Sequence, residues 1–482
     1  MKLYIDWNVL NGIKNGRFEE LEKIIRQTEK FVIIYSTSHI SDIASDYSEE
    51  KENPNIQSDL EFLAEITNCL CIFNNGKDIV FQQKDPFHLF ESEIENKNLT
   101  EDFSFKSIFN ILDDNGKNSE LVTPLKTMLQ SFPLDGMFKD AFENPQSTEI
   151  MNSIFPGLKD NPTFEGLFSA MGKMLENLNE KEGYKDLKTL FKHLNINQGK
   201  LTNPDNNPFD VLNETYKKLG IEESPLQKNY FEKGKNAPIW FDDITSAYII
   251  NLDMHGFHSD EVKVTETKKK TFKNTTQDSF HTAFATTCDF YITNDKRNYQ
   301  KAKAIFKEKN ISTHVLKPDE FINFYKENLE KVDFITSWNK FEEITKSGKF
   351  YDISDKNNPN DLYQVHFSTF NYFGYFNRIY LFNSDIDKNS ISFMFGKELP
   401  THCLVVFFSE IKEMVKIIVD YLGNDDNDMG YFDESEIDEN NHWGGRIWKF
   451  DKFQYKLVQY KRYFQFYYDF EINNPHQIND VS

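Results

Sequence analysis

Short apolar runs alternate with helix-period segments at both ends of the first two thirds of the chain. Leu3-Tyr4-Ile5 is fully apolar and predicts a short buried strand. Between Leu10 and about Lys30, apolar Phe18, Leu21, Ile24 and Ile25 recur at helical spacing and predict a helix. Phe31 to Tyr35 predicts a second strand. Ser38 or Ser41 is placed to cap a following helix that carries Asp42. Strand, helix, strand and helix in this order predict a parallel α/β sheet.

The same grammar returns over residues 236–330. Asp242 to His255 is apolar-periodic and closes at Gly256, a residue suited to the left-handed turn after a helix. A Lys-rich loop follows. Asp278 to Thr287 predicts a helix, and Phe290-Tyr291-Ile292 a strand running into Thr293-Asn294-Asp295. Asn298 to Lys309 predicts a helix and Thr313 to Leu316 a strand. Pro318 opens a last helix, where its missing N–H does no harm.

Between these halves Ile56 to Phe73 still reads as a helix and a strand of the α/β domain. Beyond it the chain is punctuated by Asn, Pro and Gly, with short amphipathic segments at 138–153 and 164–178. Residues 76–235 therefore read as a mostly helical insertion, ordinary in its core or adaptable through its methionines. In residues 331–482 strand-like runs cover Val365 to Tyr372, Arg378 to Phe382, Ile391 to Phe395, Cys403 to Phe408 and Phe453 to Phe470. One helix lies among them, Glu410 to Leu422. The plan is an α/β domain split into 1–75 and 236–330, the insertion, and a C-terminal α+β domain at 331–482.

The 482 residues suffice for two or three cores, and 39% apolar content marks a globular chain. The net charge of −22 changes the picture more, because an acidic surface repels phosphate. It argues against a general nucleic-acid coat. A nucleic-acid partner has to meet a local basic patch or bound cations. Cys69, Cys71, Cys288 and Cys403 form no CxxC pair and no zinc pattern, so a reducing cytoplasm is expected. The apolar runs are strand-length, far from the roughly 20 residues of a membrane span. Neither a secretory leader nor a membrane partner is expected.

Four acids occupy special places in this grammar. Asp6 ends the first strand, Asp42 lies on the second helix, Asp278 opens a helix and Asp295 follows a strand. In an open parallel sheet the carboxyl ends of strands and the next helix starts meet at one edge, where ligands bind. Four carboxylates there need a cation, and Mg2+ or Mn2+ takes such oxygen ligands. Each acid also has a plain structural reading. Asp42 and Asp278 suit helix caps, and Asp295 suits a turn. Asp6 fits such a role least, since a charge after an apolar strand is costly if buried unpaired.

YIDWNVLNGI, YSTSHISDIA and QDSFHTAFATTCDFYITNDKRNYQKAKAIFKEKNISTHVLKPDEFINF resemble the PIN-domain nuclease family. The first carries the strand with its Asp, the second the helix with the second acid, and the third nearly the whole C-terminal part of the domain. The resemblance implies metal-ligand roles for Asp6, Asp42, Asp278 and Asp295, with Asn8, Thr293 and Asn294 behind them. Asp42 stands where the family usually has Glu, so its shorter reach leaves room for Asp46 or a water. The insertion separates Asp42 from Asp278 much further than a compact domain of this family requires.

Lys268, Lys269, Lys270 and Lys273 precede Asp278, and Lys296, Arg297, Lys301 and Lys303 follow Asp295. They are candidate phosphate contacts or simply solvated faces. Tyr299 is a candidate base stack, and His281 reads as a packing residue behind the ligands. Asp289 reads as a pairing or capping residue. Asp425, Asn427, Gly430, Asp433 and Glu436 fall on calcium-loop spacing, but Met429 sits at a ligand position and no exiting helix follows, so an acidic loop is expected. The expected function is a Mg2+- or Mn2+-dependent nuclease, on RNA rather than DNA. Regulation through the insertion or C-terminal domain is expected, with a protein partner or a second copy, in a bacterial defence or toxin setting. The alternative is a catalytically silent nucleic-acid-binding or regulatory protein of the same fold.

Overall fold

The computed structural model describes residues 1–27, 30–45, 47, 54–75, 78–100, short pieces between 142 and 191, 195–218, 238–264, 269–270, 272–353, 363–383, 390–400, 407–461 and 463–471. It is a mixed α/β protein with one mixed sheet and one separate antiparallel sheet. The chain packs as two compact units. The first is Met1–Ile34, Ala285–Asn294 and Ile311–Ser482, and the second is Tyr35–Phe284 and Asp295–Asn310.

In the first unit β1 (Lys2–Ile5) pairs in parallel with β2 (Val32–Ser36), aligning Tyr4 with Ile34. All four residues of β1 are buried, as a strand covered on both faces requires. In the second unit the end of β2 pairs in parallel with β3 (Leu70–Asn74). β3 then pairs antiparallel with β4 (Ile79–Gln83), a strand the hydrophobic pattern did not announce. The Asn75 side chain accepts from the Asp78 N–H at 2.9 Å and closes this hairpin. β5 (Lys263–Val264) and β6 (Lys269–Lys270) form a small ribbon of their own. Back in the first unit, β7 (Phe290–Ile292) pairs in parallel with β1, and β8 (His314–Leu316) with β7. The sheet order is β4-β3-β2-β1-β7-β8. The expected parallel sheet is thus parallel at its centre and antiparallel at the β4 edge.

Several helix boundaries differ from the pattern. The helix expected from Leu10 to Lys30 divides into Trp7–Lys14 and Glu19–Gln27. Gly16, at φ 71°, turns the chain between them. The helix bearing Asp278 starts earlier, at Phe272, and runs to Ala285, so Asp278 lies inside it and does not cap it. The segment expected from Asp242 to His255 is an α-helix, Ile239–Ser246, followed by a π-helical stretch, Ala247–Asp253. Gly256 then takes φ 92°, as its place after that element demands. The amphipathic segments at 138–153 and 164–178 lie largely outside the described residues. Within what is described, Met151 packs against a small cluster of Phe142, Leu158 and Ala170.

Residues 331–482 supply a seven-stranded antiparallel sheet to the first unit. Its strands are β9 (Tyr351–Asp352), β10 (Tyr363–Tyr372), β11 (Phe376–Asn383), β12 (Ser390–Gly396), β13 (Arg446–Lys449), β14 (Phe453–Tyr460) and β15 (Tyr463–Glu471). The order is β13-β14-β15-β12-β11-β10-β9. The run expected as one strand, Phe453 to Phe470, is a hairpin that turns at Lys461, where φ is 56°. Helices Phe334–Ser347 and Phe407–Leu422 share a core with the sheet, including Phe341, Phe373, Phe395, Ile418 and Phe466. Most of the strand expected over Cys403 to Phe408 lies outside the described residues. Its last two residues, Phe407 and Phe408, open the helix that Ile411, Val415 and Ile418 continue at helical spacing. Among the described residues no helix is long and apolar enough to cross a membrane.

Candidate metal centre

Asp6 directly follows β1, and its N–H donates to the Ile292 carbonyl at 2.9 Å, extending the β1–β7 ladder. It occupies the N-cap position of Trp7–Lys14 without capping that helix through its side chain. The side chain is buried instead, 4% exposed. Its Oδ2 accepts from the Thr293 hydroxyl at 2.7 Å and from the Asn8 amide at 2.9 Å. These two neutral donors fix the orientation of the buried carboxylate.

In the second unit Asp42 lies on helix Thr37–Ser45 with its Oδ2 2.9 Å from His281 Nε2. His281 is 1% exposed, in a helix whose Ser279, Thr282, Ala283 and Ala285 are all buried. Small residues there let the helix pack closely and bring the imidazole inside. His39 meets the His281 ring edge-on, centroids 4.8 Å apart. The Ser36 N–H donates to His39 Nδ1 at 2.9 Å, which makes Nε2 the protonated nitrogen when this imidazole is neutral.

The second unit thus pairs Asp42 with His281, and the first holds the buried Asp6 carboxylate. Carboxylates supply hard oxygen and an imidazole supplies nitrogen, groups that could hold a metal ion. Sequence reasoning found both acids but assigned His281 to packing. Its spacing three residues after Asp278, which places both on one helix face, was the available signal.

The other predicted residues fall elsewhere. Asp278 stands one turn before His281, and its carbonyl accepts from the Thr282 hydroxyl at 2.9 Å. Asp295 is exposed and caps helix Lys296–Glu308, its Oδ1 accepting from the N–H groups of Arg297 at 2.7 Å and Asn298 at 2.8 Å. The structural reading of Asp295 therefore describes these contacts. Thr293 orients Asp6, whereas Asn294 is exposed. Lys273 and Lys296 are exposed and Arg297 is half-buried. Lys269 and Lys270 lie on β6, while Lys268 and Asp46 lie outside the described residues.

Tyr299 is 5% exposed, which removes it as a base-stacking platform. Lys301 is likewise buried and ion-paired, so it is no phosphate contact. Asp289 pairs with Lys397 at 2.9 Å and accepts from the Lys2 N–H at 2.7 Å. Burial alone would raise its pKa, but the charges of Lys397, the N-terminal amine and Lys2, with the Lys2 N–H bond, together outweigh burial and hold it well below the usual carboxylate value.

The calcium-spaced loop is built around an internal cation. Arg446 pairs with Glu436 at 2.7 Å and with Asp425 at 3.7 Å, both carboxylates being almost fully buried. Asp425 Oδ1 also accepts from the Asn427 and Met429 N–H groups. A strand, β13, follows where a calcium-binding loop would have its exiting helix.

No family model, curated protein or solved structure matches the chain.

Proposed function

We propose that this protein is a PIN-like, divalent-metal-dependent nuclease that hydrolyses phosphodiester bonds, in RNA rather than DNA. One observation carries the proposal: the buried Asp6 carboxylate at the carboxyl end of β1, held by the Thr293 hydroxyl and the Asn8 amide. That is the place where open α/β sheets bind ligands. A bound Mg2+ or Mn2+ ion would supply an activated water and positive charge for the phosphate. Asp6 would hold the ion, with Thr293 and Asn8 fixing its carboxylate, and Asp42 and His281, paired within the second unit, are further candidate ligands. Lys273, Lys296 and Arg297 are the candidate phosphate contacts in an otherwise acidic chain. The RNA preference follows from the resemblance of the three stretches to the PIN family. Residues 76–235 and 331–482 add regulation to this core, consistent with a cytoplasmic defence or toxin role under control of a partner or second copy.

The test is cleavage of labelled single-stranded RNA and DNA by the full chain in EDTA, Mg2+ or Mn2+, beside Asp6→Asn and Asp42→Asn. Ion-dependent cutting of RNA that both substitutions abolish supports the proposal. No cutting of either polymer in any ion, with ion binding retained, would favour the catalytically silent alternative.

A further inference from the structure

We infer that the outward face of the seven-stranded antiparallel sheet binds single-stranded nucleic acid along a track of aromatic rings. The inference rests on this sheet of the first unit alone and stands whether or not the chain cuts nucleic acid. Three observations carry it.

The first is placement. Phe395, Phe466 and Leu457 share the core with the helices, so their strand neighbours point the other way. On that other face the register sets Tyr460 opposite Tyr463, and Arg378 between Gly396 and Phe367. Val365 pairs with both Tyr380 and Tyr351, which puts these two rings on the same face. The Tyr460 and Tyr463 rings are 5.2 Å apart, and the Tyr463 pKa is raised by burial and then by Tyr460 and Tyr380 nearby. Arg378 donates to the Tyr380 hydroxyl at 3.5 Å and lies 5.0 Å over the Phe367 ring, which meets Tyr351 at 6.2 Å. These side chains form one track across β14, β15, β12, β11, β10 and β9, about 24 Å at the usual strand spacing.

The second is the attitude of the rings. A Cβ at Gly396 would lie 2.9 Å from Tyr380 Cε2. A strand's Cβ points out of the sheet, so the Tyr380 ring lies across Gly396 and does not stand upright beside it. Tyr351, Phe367 and Tyr460 are 66%, 50% and 44% exposed. The solvated face of an antiparallel sheet ordinarily carries polar side chains. A row of exposed rings fits a linear ligand with repeated flat groups, and each base of a single strand offers such a group.

The third is charge. The chain carries −22 overall, yet Lys456 on this face and Lys461 at its Tyr460 end are both exposed. Lys461 Nζ lies 5.4 Å from the Tyr460 ring centre, beside the first stacking position. Glu398 pairs with Arg378 at 2.6 Å, so the lysines supply the attraction for phosphate and Arg378 supplies a plane for stacking. Asp469, also on this face, is engaged by Ser392 at 2.6 Å and Gln454 at 3.0 Å. A neutral glycan would stack on the same rings but gain nothing from the lysines.

The experiment uses the full chain in EDTA, so that binding is read without cleavage. Fluorescence anisotropy follows a labelled single-stranded RNA of about eight nucleotides, with a duplex of the same length as competitor. The duplex keeps its bases stacked inside and should compete about tenfold or more weaker. Phe367→Ala and Tyr460→Ala should each weaken single-strand binding by about fivefold or more, while Tyr460→Phe should bind as the wild type does. Lys461→Gln should flatten the slope of log affinity against log salt by about 0.7. Thiouridine-labelled RNA should crosslink to peptides of the wild-type chain that contain Phe367 or Tyr460. Crosslinks confined to other peptides overturn the inference even if no variant folds. So do unchanged affinity in folded Phe367→Ala and Tyr460→Ala, equal competition by the duplex, or no binding of the single strand. Self-association lost in those variants, without RNA binding, would make the face an interface between copies, and binding of a neutral polysaccharide in place of RNA would make it a glycan site. Either result overturns the inference. Binding on the track without cleavage in Mg2+ or Mn2+ would leave the inference standing and remove the nuclease. Cleavage with crosslinks only elsewhere would do the reverse.

Discussion

Asp42 Oδ2 lies 2.9 Å from His281 Nε2, although 239 residues separate them in the chain. Asp42 stays partly accessible at 29% while His281 is sealed at 1%. Asp42→Asn keeps the shape and one hydrogen-bonding oxygen but removes the charge an ion needs. Saturating Mn2+ should raise the melting temperature of the wild-type chain, because a ligand that binds only the folded state stabilises it. The same ion should leave Asp42→Asn unmoved, and its melting temperature without metal should stay within a few degrees of wild type. An equal Mn2+ shift in both proteins would remove Asp42 from the centre.

Asp295 supports a different expectation, because its Oδ1 accepts from two N–H groups at the start of Lys296–Glu308. Asp295→Ala should cost about 1–2 kcal/mol in denaturant unfolding through loss of the cap. Asp295→Ser restores a capping oxygen and should recover most of that stability. If serine rescues no stability, the cap is not what this residue contributes.

The parts of the fold that were legible in the sequence were those with local signals. β1, β2 and β7 follow from unbroken apolar runs, and Gly256 from the conformation only glycine takes easily. The Asp6 position was legible for the same reason, being a charge set against an apolar strand. His281 was not, because a histidine among Ser, Thr and Ala looks the same whether it packs or ligates. Its role depends on Asp42, which tertiary packing brings near. The calcium-like spacing misled for the converse reason. Arg446, which engages Asp425 and Glu436, lies well past the motif. β4 was missed because Ile79–Gln83 ends in two exposed glutamines and offers only a short apolar run.

His255 gives the second unit a pH dependence. Its Nδ1 lies 2.7 Å from the Ile250 carbonyl and its Nε2 lies 2.6 Å from the Tyr216 hydroxyl. The carbonyl can only accept, so Nδ1 carries the proton and Nε2 accepts from Tyr216. Burial pushes the His255 pKa below its ordinary value of 6.5. The unfolded chain then binds the proton first as pH falls. The contribution is present above pH 6.5 and is lost as pH drops below it. His258 and His314 are shifted the same way, also through burial first. Melting temperature should therefore decline from pH 7 towards pH 5, and His255→Gln should make that decline shallower. An unchanged slope in His255→Gln would show that this imidazole is not among the groups responsible.

Lys301 closes a buried charge cluster on the face of Lys296–Glu308 opposite the solvent. Its ammonium reaches Asp253 at 2.5 Å and Asp260 at 2.8 Å, with the Lys301 and Asp253 side chains fully buried. Asp253 ends the π-helical stretch and also meets Lys188 at 2.6 Å and the Tyr184 hydroxyl at 2.7 Å. Tyr184 and Lys188 belong to helix Gly183–Phe191 of the insertion, so the cluster ties that helix to the rest of the second unit. Burial alone would lower the Lys301 pKa, but Asp260 and Asp253 outweigh burial and hold it above the ordinary lysine value. Burial likewise opposes the ionised form of Asp253, and the Lys301 and Lys188 charges hold its pKa below the ordinary aspartate value. Such a cluster need not outperform an apolar core of the same volume, but removing one member leaves charge buried without compensation. Lys301→Met should therefore cost about 3–5 kcal/mol in denaturant unfolding. Lys307→Met, exposed on the same helix, should change stability by less than about 0.5 kcal/mol. The contrast separates buried-charge compensation from any general effect of losing a lysine on this helix. A Lys301→Met chain within about 1 kcal/mol of wild type would mean that Lys188 alone, or water, satisfies both carboxylates.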